Sequence, residues 1–351
     1  MLVESRQVGL AVMVEKKRAR VHWAGAPLIV LGLVFLATIC GSLMLGRYDV
    51  PLNTWWSVLV APEHSGIPGI VLLQVRLPRI LAGILIGAGL STSGAAYQGL
   101  FRNPMVSPDI LGASAGAGFG AAAGILLGFG IVGIQCTSFA FGLAAVLLTC
   151  AAAGRLARSG DPILTLVLVG ILVGSVFTAL VSLAKYVADP YSKLPAITFW
   201  LMGSLAGIHV CDVRFALVPM LIGLVPLVLL RWNLNVLSFG EEEARALGAA
   251  TGKLRWIIIF CATLLTASAV SVAGMVGWVG LVIPHLARMI VGPDYRVLLP
   301  ASLLLGGTYM LLVDDLARSI YATEIPLGIL TSLVGAPFFL YLLMRTRRGW
   351  A

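Results

Sequence analysis

Of the carboxylates in this sequence, only Asp314 and Asp315 fall inside a long apolar run. Asp49, Glu63, Asp109, Asp161, Asp189, Asp212, Glu241, Glu242, Glu243, Asp294 and Glu324 lie outside such runs or at their ends. A carrier driven by protons or sodium keeps a carboxylate near the middle of the membrane, so this placement counts against ion coupling, with Asp314 and Asp315 as the one candidate pair. The histidines (His22, His64, His209, His285) are scattered, and HExxH, GxSxG and the GxxxxGK[ST] phosphate loop are absent. No catalytic centre follows, and any ATP and Mg that power the chain belong to another polypeptide. The cysteines (Cys40, Cys136, Cys150, Cys211, Cys261) are odd in number and lack paired metal-ligand spacing. They read as small core residues, and no metal site is expected.

The elements that carry these residues must be solvated largely by lipid. With 59% hydrophobic and 11% charged residues and a mean hydropathy of +1.00, the chain has too little charge to coat a water-soluble globule of its size. Apolar runs long enough to cross about 30 Å of hydrocarbon as helix recur at 26–46, 71–99, 108–128, 131–154, 162–187, 212–230, 254–273, 275–291, 297–317 and 326–344. They predict an all-α membrane protein of about ten spans in one bundle. The shorter piece 194–208 is expected to be a re-entrant or interfacial helix on the outer side. With residue 1 in the cytoplasm, most Lys and Arg fall in inside loops, as the positive-inside rule demands. Both termini are therefore expected in the cytoplasm: residues 1–25 as an N-terminal segment, 26–344 as a single transmembrane domain, and 345–351 as a tail. The run after residue 25 has no small-residue cleavage site and reads as an anchor rather than a removed signal. The net charge of +9 is dispersed over short loops, which argues against nucleic acid and for lipid as the partner surface.

Three local patterns stand out against the apolar background. Gly112, Gly116, Gly120, Gly124 and Gly128 recur every four residues, predicting a smooth face on the third span against which another helix packs closely. RNPMVSPD (102–109) contains Pro104 and Pro108, which cannot continue a helix without losing backbone hydrogen bonds, so the chain must turn there. GEEEARALGAATGK (240–253) is a water-loving stretch between spans six and seven. Its Gly240 and Gly248 bracket a short helix with Glu241, Glu242 and Glu243 in the first turn, where the helix dipole favours acids.

Four segments in this order, RLPRILAGILIGAGLSTSGAAYQGLFRNPMVSPDILG (76–112), GEEEARALG (240–248), GMVGWVGLVIPHLAR (274–288) and IPLGILTSLVGAPFFLYLL (325–343), resemble the permeases of type II ABC importers. Those permeases carry iron-siderophore complexes, haem and vitamin B12. The likeness runs from about residue 70 to the end. It implies a homodimer around one central path, with two cytoplasmic ABC ATPase subunits and a periplasmic substrate-binding protein, in a bacterial inner membrane. It implies that 240–250 is the coupling helix, with Gly240, Glu241, Glu242, Glu243, Arg245, Leu247 and Gly248 meeting the ATPase. It implies that Arg76 and Arg79 of RLPR, and Arg318 of DDLARS, form a basic outer rim that docks acidic residues of the binding protein. Read on spacing alone, Arg76 and Arg79 share one helix face and serve equally as a head-group anchor. The likeness further makes Asn103, Pro104 and Met105 a cytoplasmic gate. Its companion would be the turn RSGDPI (158–163), which departs from the hydroxyl-rich turn of the B12 permease. The expected cargo is a metal chelate, first a ferric siderophore, with haem, cobalamin and molybdate as alternatives. An ion-coupled carrier and a channel or membrane scaffold are the competing classes.

Overall fold

A computed structural model describes residues 25–46, 48–50, 58, 66–156, 161–321 and 323–346. The N-terminal segment before residue 25, the final residues 347–351 and the first half of the turn 158–163 (158–160) lie outside the described residues.

The described chain is built from helices: α1 (Gly25–Met44), α2 (Gly66–Leu100), α3 (Ala113–Leu126), α4 (Ile131–Leu156), α5 (Pro162–Val187), α6 (Lys193–Met202), α7 (Val210–Leu229), α8 (Arg231–Ser238), α9 (Glu241–Ala246), α10 (Thr251–Ala273), α11 (Val279–Val291), α12 (Tyr295–Ser319) and α13 (Leu327–Thr346). Among the described residues, seven of these are long and apolar enough to cross a membrane (α1, α2, α4, α5, α7, α10 and α12). Each of the ten apolar runs thus contains a helix, but two of those helices, α3 and α11, are short. The causes are local. The run 108–128 is divided because Pro108 opens a separate 3-10 turn, Pro108–Leu111, and Gly112 ends it in the left-handed region at φ 86°. The run 275–291 loses its first turn because Gly274 (φ 72°) and Trp278 (φ 70°) both adopt left-handed backbone, which L-residues resist. Conversely, α2 begins at Gly66, and its first turns pass through a π-helical stretch, Val71–Arg76. The amphipathic helix α8 follows the run 212–230 and was not expected.

Burial sorts the helices. The most apolar windows of α10 and α12 are 78% and 61% buried, whereas those of α1 and α5 are 11% and 22% buried, so α10, α12 and α2 form the centre and α1 and α5 its periphery. Close approach at the centre depends on glycine. A Cβ on Gly94 of α2 would overlap the carbonyl of Gly280, and one on Gly87 would overlap that of Gly306. Hydroxyls bridge the same helices: Ser93 and Thr266 are 3.1 Å apart, Tyr97 and Thr263 3.2 Å, and Ser91 donates to the Ser302 carbonyl at 2.8 Å. Without a hydrophobic drive between helices in lipid, such small-residue contacts and hydrogen bonds hold the bundle.

The glycine stripe divides in the structure. Gly116 faces Phe141 and Ala145, Gly120 faces Thr137 and Phe141, and Gly124 faces Thr137 and Ile134, all on α4. Gly112 caps the 3-10 turn beside Gly174 of α5, and Gly128 lies beyond the end of α3 in open space at φ 74°. The packing face therefore has three glycines, because the helix is only 14 residues long.

Candidate functional site

At one end of the bundle, α9 is clamped by a single acid. Glu241 accepts from Arg245 at 2.6 Å, from Arg255 of α10 at 2.5 Å and from the Thr251 hydroxyl at 3.4 Å. Ala244 is fully buried, so the helix has an inner side fixed on the bundle. Its other side carries exposed Glu242, Glu243, Arg245 and Leu247. Leu247 and neighbouring Phe239 are each 68% exposed, an apolar pair outside the bundle and flanked by acids. Gly240 enters the helix at φ 129°, where a side chain's Cβ would strike the Glu243 carboxylate and lie against Arg102. That conformation favours glycine. The base of α8 is tied down in parallel: Asn235 donates to Asp294 at 2.6 Å and accepts from the Tyr295 amide at 2.9 Å, and Arg296 lies 4.2 Å from the Trp232 ring. A rigid platform with an acidic and apolar outer face is suited to seating against another protein.

The turn 102–109 stands at the same end, since Arg102 lies near Gly240. Asn103, Pro104 and Met105 are all exposed, and the Asn103 side chain accepts from the Met105 amide at 2.9 Å, which fixes the turn's shape. Ser107 then caps the 3-10 turn by accepting from the Asp109 amide. From Asp109 a cavity of about 460 Å³ extends past Gly112 and along α5 at Gly170, Gly174, Ser175 and Thr178. Among the described residues, Asp109 is the only ionisable one in its lining. The α5 hydroxyls bond within their own helix, Ser175 to the Ile171 carbonyl and Thr178 to that of Gly174, so the α5 side of the wall is polar but uncharged.

The opposite end holds the three arginines, and there the expectation of an exposed basic rim is corrected. Arg76, Arg79 and Arg318 are 3%, 7% and 8% exposed. Arg79 meets Asp314 and Glu324, each at 2.8 Å. Arg318 pairs with Asp315 and donates to the Ser42 carbonyl at 2.7 Å, and Ser42 donates to Asp315 at 2.6 Å. Arg76 donates to the Leu43, Met44 and Tyr48 carbonyls, satisfying the orphan acceptors at the end of α1. The physical reason is charge balance: two buried guanidiniums need carboxylates, and Asp314, Asp315 and Glu324 supply them. The same pairing removes Asp314 and Asp315 as free coupling groups. Sequence reading missed Glu324 and Ser42 as members of this cluster, because they lie hundreds of residues from their partners and only the fold brings them together.

Comparison with known proteins gives a consistent picture. The FecCD transport family model matches residues 33–345. The chain is 43% identical over 329 residues to the molybdate import system permease protein MolB of Haemophilus influenzae, covering 92% of this chain and 97% of that protein. It is 38% identical over 326 residues to a Helicobacter pylori protein named as a probable iron chelatin transport system permease, covering 91% and 98%. A solved structure described as an inward-facing conformation of a metal-chelate type ABC transporter superposes with TM-score 0.82 at 42% identity, covering 91% of this chain and 98% of that one.

Proposed function

We propose that this chain, which belongs to the FecCD transport family and is the permease subunit of an ABC importer, carries a metal chelate, first a ferric siderophore. The permease does no covalent chemistry, and ATP is hydrolysed by a separate subunit. The observation that carries the cargo reading is the cavity along α5, whose lining is glycine, hydroxyl and apolar with one carboxylate, Asp109. Such a wall offers no cationic group to a free oxyanion and suits a bulky cargo whose metal is already shielded by its ligand. The iron chelatin relative supports this reading. The molybdate relative favours the second one, an oxyanion cargo, and haem and cobalamin are further members of the chelate class.

The working assembly is a homodimer in a bacterial inner membrane, with both termini in the cytoplasm, two ATPase subunits against the α9 ends and a periplasmic binding protein on the other side. Asn103, Pro104 and Met105 line the cytoplasmic exit. The binding protein docks over the arginine cluster, and its acidic residues reach Arg79 by exchange with Glu324, the most exposed member at 26% of its side chain.

The test is competition in proteoliposomes holding this chain with the ATPase and binding protein encoded beside it. Uptake of radioactive iron as a ferric siderophore, unaffected by excess molybdate, is the expected result. Uptake of molybdate alone would establish the oxyanion reading.

A further inference from the structure

A second, separate cavity of about 180 Å³ opens where α4, α7, α10 and the segment after α6 meet. Its wall includes Gln135, Trp200, Ser204, Asp212 and Ser271. Asp212 is 6% exposed and Gln135 5% exposed. Gln135 donates its amide to one Asp212 oxygen at 2.6 Å, and the His209 amide donates to the other at 2.7 Å. No described Lys, Arg or His side chain forms an ion pair with Asp212, in contrast to Asp314 and Asp315 at the same end.

Part of this arrangement is helix capping, since Asp212 is the third residue of α7 and completes its capping box. A helix N-terminus supplies about half a unit of positive charge. A carboxylate taken out of water at an apolar boundary needs more than that, and buried charges otherwise pair or hold an ion. The Gln135 side chain shows where the missing partner belongs. Once its NH2 group donates to Asp212, its carbonyl oxygen has no hydrogen-bond partner among the described residues, in a residue nineteen-twentieths buried on the cavity wall. One turn further along the same helix faces, the Ser138 and Ser268 hydroxyls are also buried without partners, so unused oxygen acceptors continue inward from the cavity.

We propose that this cavity binds a single alkali-metal cation, held by the Asp212 carboxylate with the Gln135 carbonyl and the Ser204 and Ser271 hydroxyls as neutral oxygen donors. The charge count selects a monovalent ion. Calcium sites gather several carboxylates, and magnesium sites need one or two with substrate phosphate, whereas here a single negative charge is surrounded by neutral oxygens. The ion would join α4, α7 and α10 at one point, so its effect is on the stability of the permease rather than on cargo chemistry.

The experiment uses the purified full-length chain in detergent, titrated with sodium or potassium chloride while choline chloride holds ionic strength constant. A saturating rise in the unfolding midpoint of about 3 °C at a hundredfold excess over the dissociation constant is expected. Radioactive sodium retained by the wild-type chain should be lost in Asp212→Asn and weakened in Gln135→Leu. Equal midpoints in all three salts with no retained sodium would overturn the proposal, and this arm needs no variant to fold. Stabilisation that persists undiminished in both variants would overturn the assignment to this cavity.

Discussion

Arg79 is held by two carboxylates from distant parts of the chain, and at 7% exposure it has little water to fall back on. Removing one partner of a buried pair leaves the other charge uncompensated, which costs about 3–5 kcal/mol. Asp314→Ala is therefore expected to lower the unfolding midpoint of the purified permease sharply, while Glu242→Ala, exposed on the outer side of α9, should change it little. Glu324→Gln tests the exchange step differently: by releasing one claim on Arg79, it should tighten binding-protein affinity severalfold in a surface-immobilised titration. Unchanged affinity would mean that docking does not use this guanidinium. The sequence showed two carboxylates inside a span but not what they do there. Asp314 and Arg79 are 235 positions apart, and no local pattern reports a pairing that only tertiary packing creates.

At the scale of elements, α9 is the part that the sequence announced most clearly, because a charged helix bracketed by two glycines has no place among lipid-facing runs. Its attachment was not legible: Glu241 looked like one of three equivalent acids, yet it alone clamps Arg245, Arg255 and Thr251. Leu247→Asp alters the outer side of this helix and touches neither the buried Ala244 nor the Glu241 clamp, whereas Arg245→Glu also breaks the Glu241–Arg245 pair. Each is expected to abolish ATP-driven uptake while the permease still reaches the membrane and purifies as a folded chain. Full uptake by both variants would remove α9 from the coupling role. Within the bundle, Gly94→Ala should cost about 1–3 kcal/mol, the usual penalty for overpacking, because its methyl group would strike the Gly280 backbone rather than a movable side chain. The spacing of small residues revealed a packing face on α3, but its length depended on Pro108 and on where the helix ended. The short α11 was obscured in the same way, since its run stays apolar through the irregular backbone at Gly274 and Trp278.

At the scale of the whole molecule, Asp314 and Asp315 within α12 are engaged by arginines, and an exposed acidic and apolar platform lies at the end that carries α9. Energy delivered by a partner protein at that platform fits this distribution, and an ion gradient acting on Asp314 or Asp315 does not. Hydropathy conveyed the membrane class and the approximate run boundaries because lipid imposes a length on every crossing helix. Cargo was not legible, because the relatives that share these motifs carry different cargoes and no single residue type here marks one of them. The most direct measurement is uptake of ferric siderophore into proteoliposomes containing the permease, its ATPase and its binding protein, comparing ATP inside with an imposed proton or sodium gradient. Accumulation that requires ATP and the binding protein, and that ignores the gradient, is the predicted result. Accumulation driven by the gradient without ATP would contradict the account.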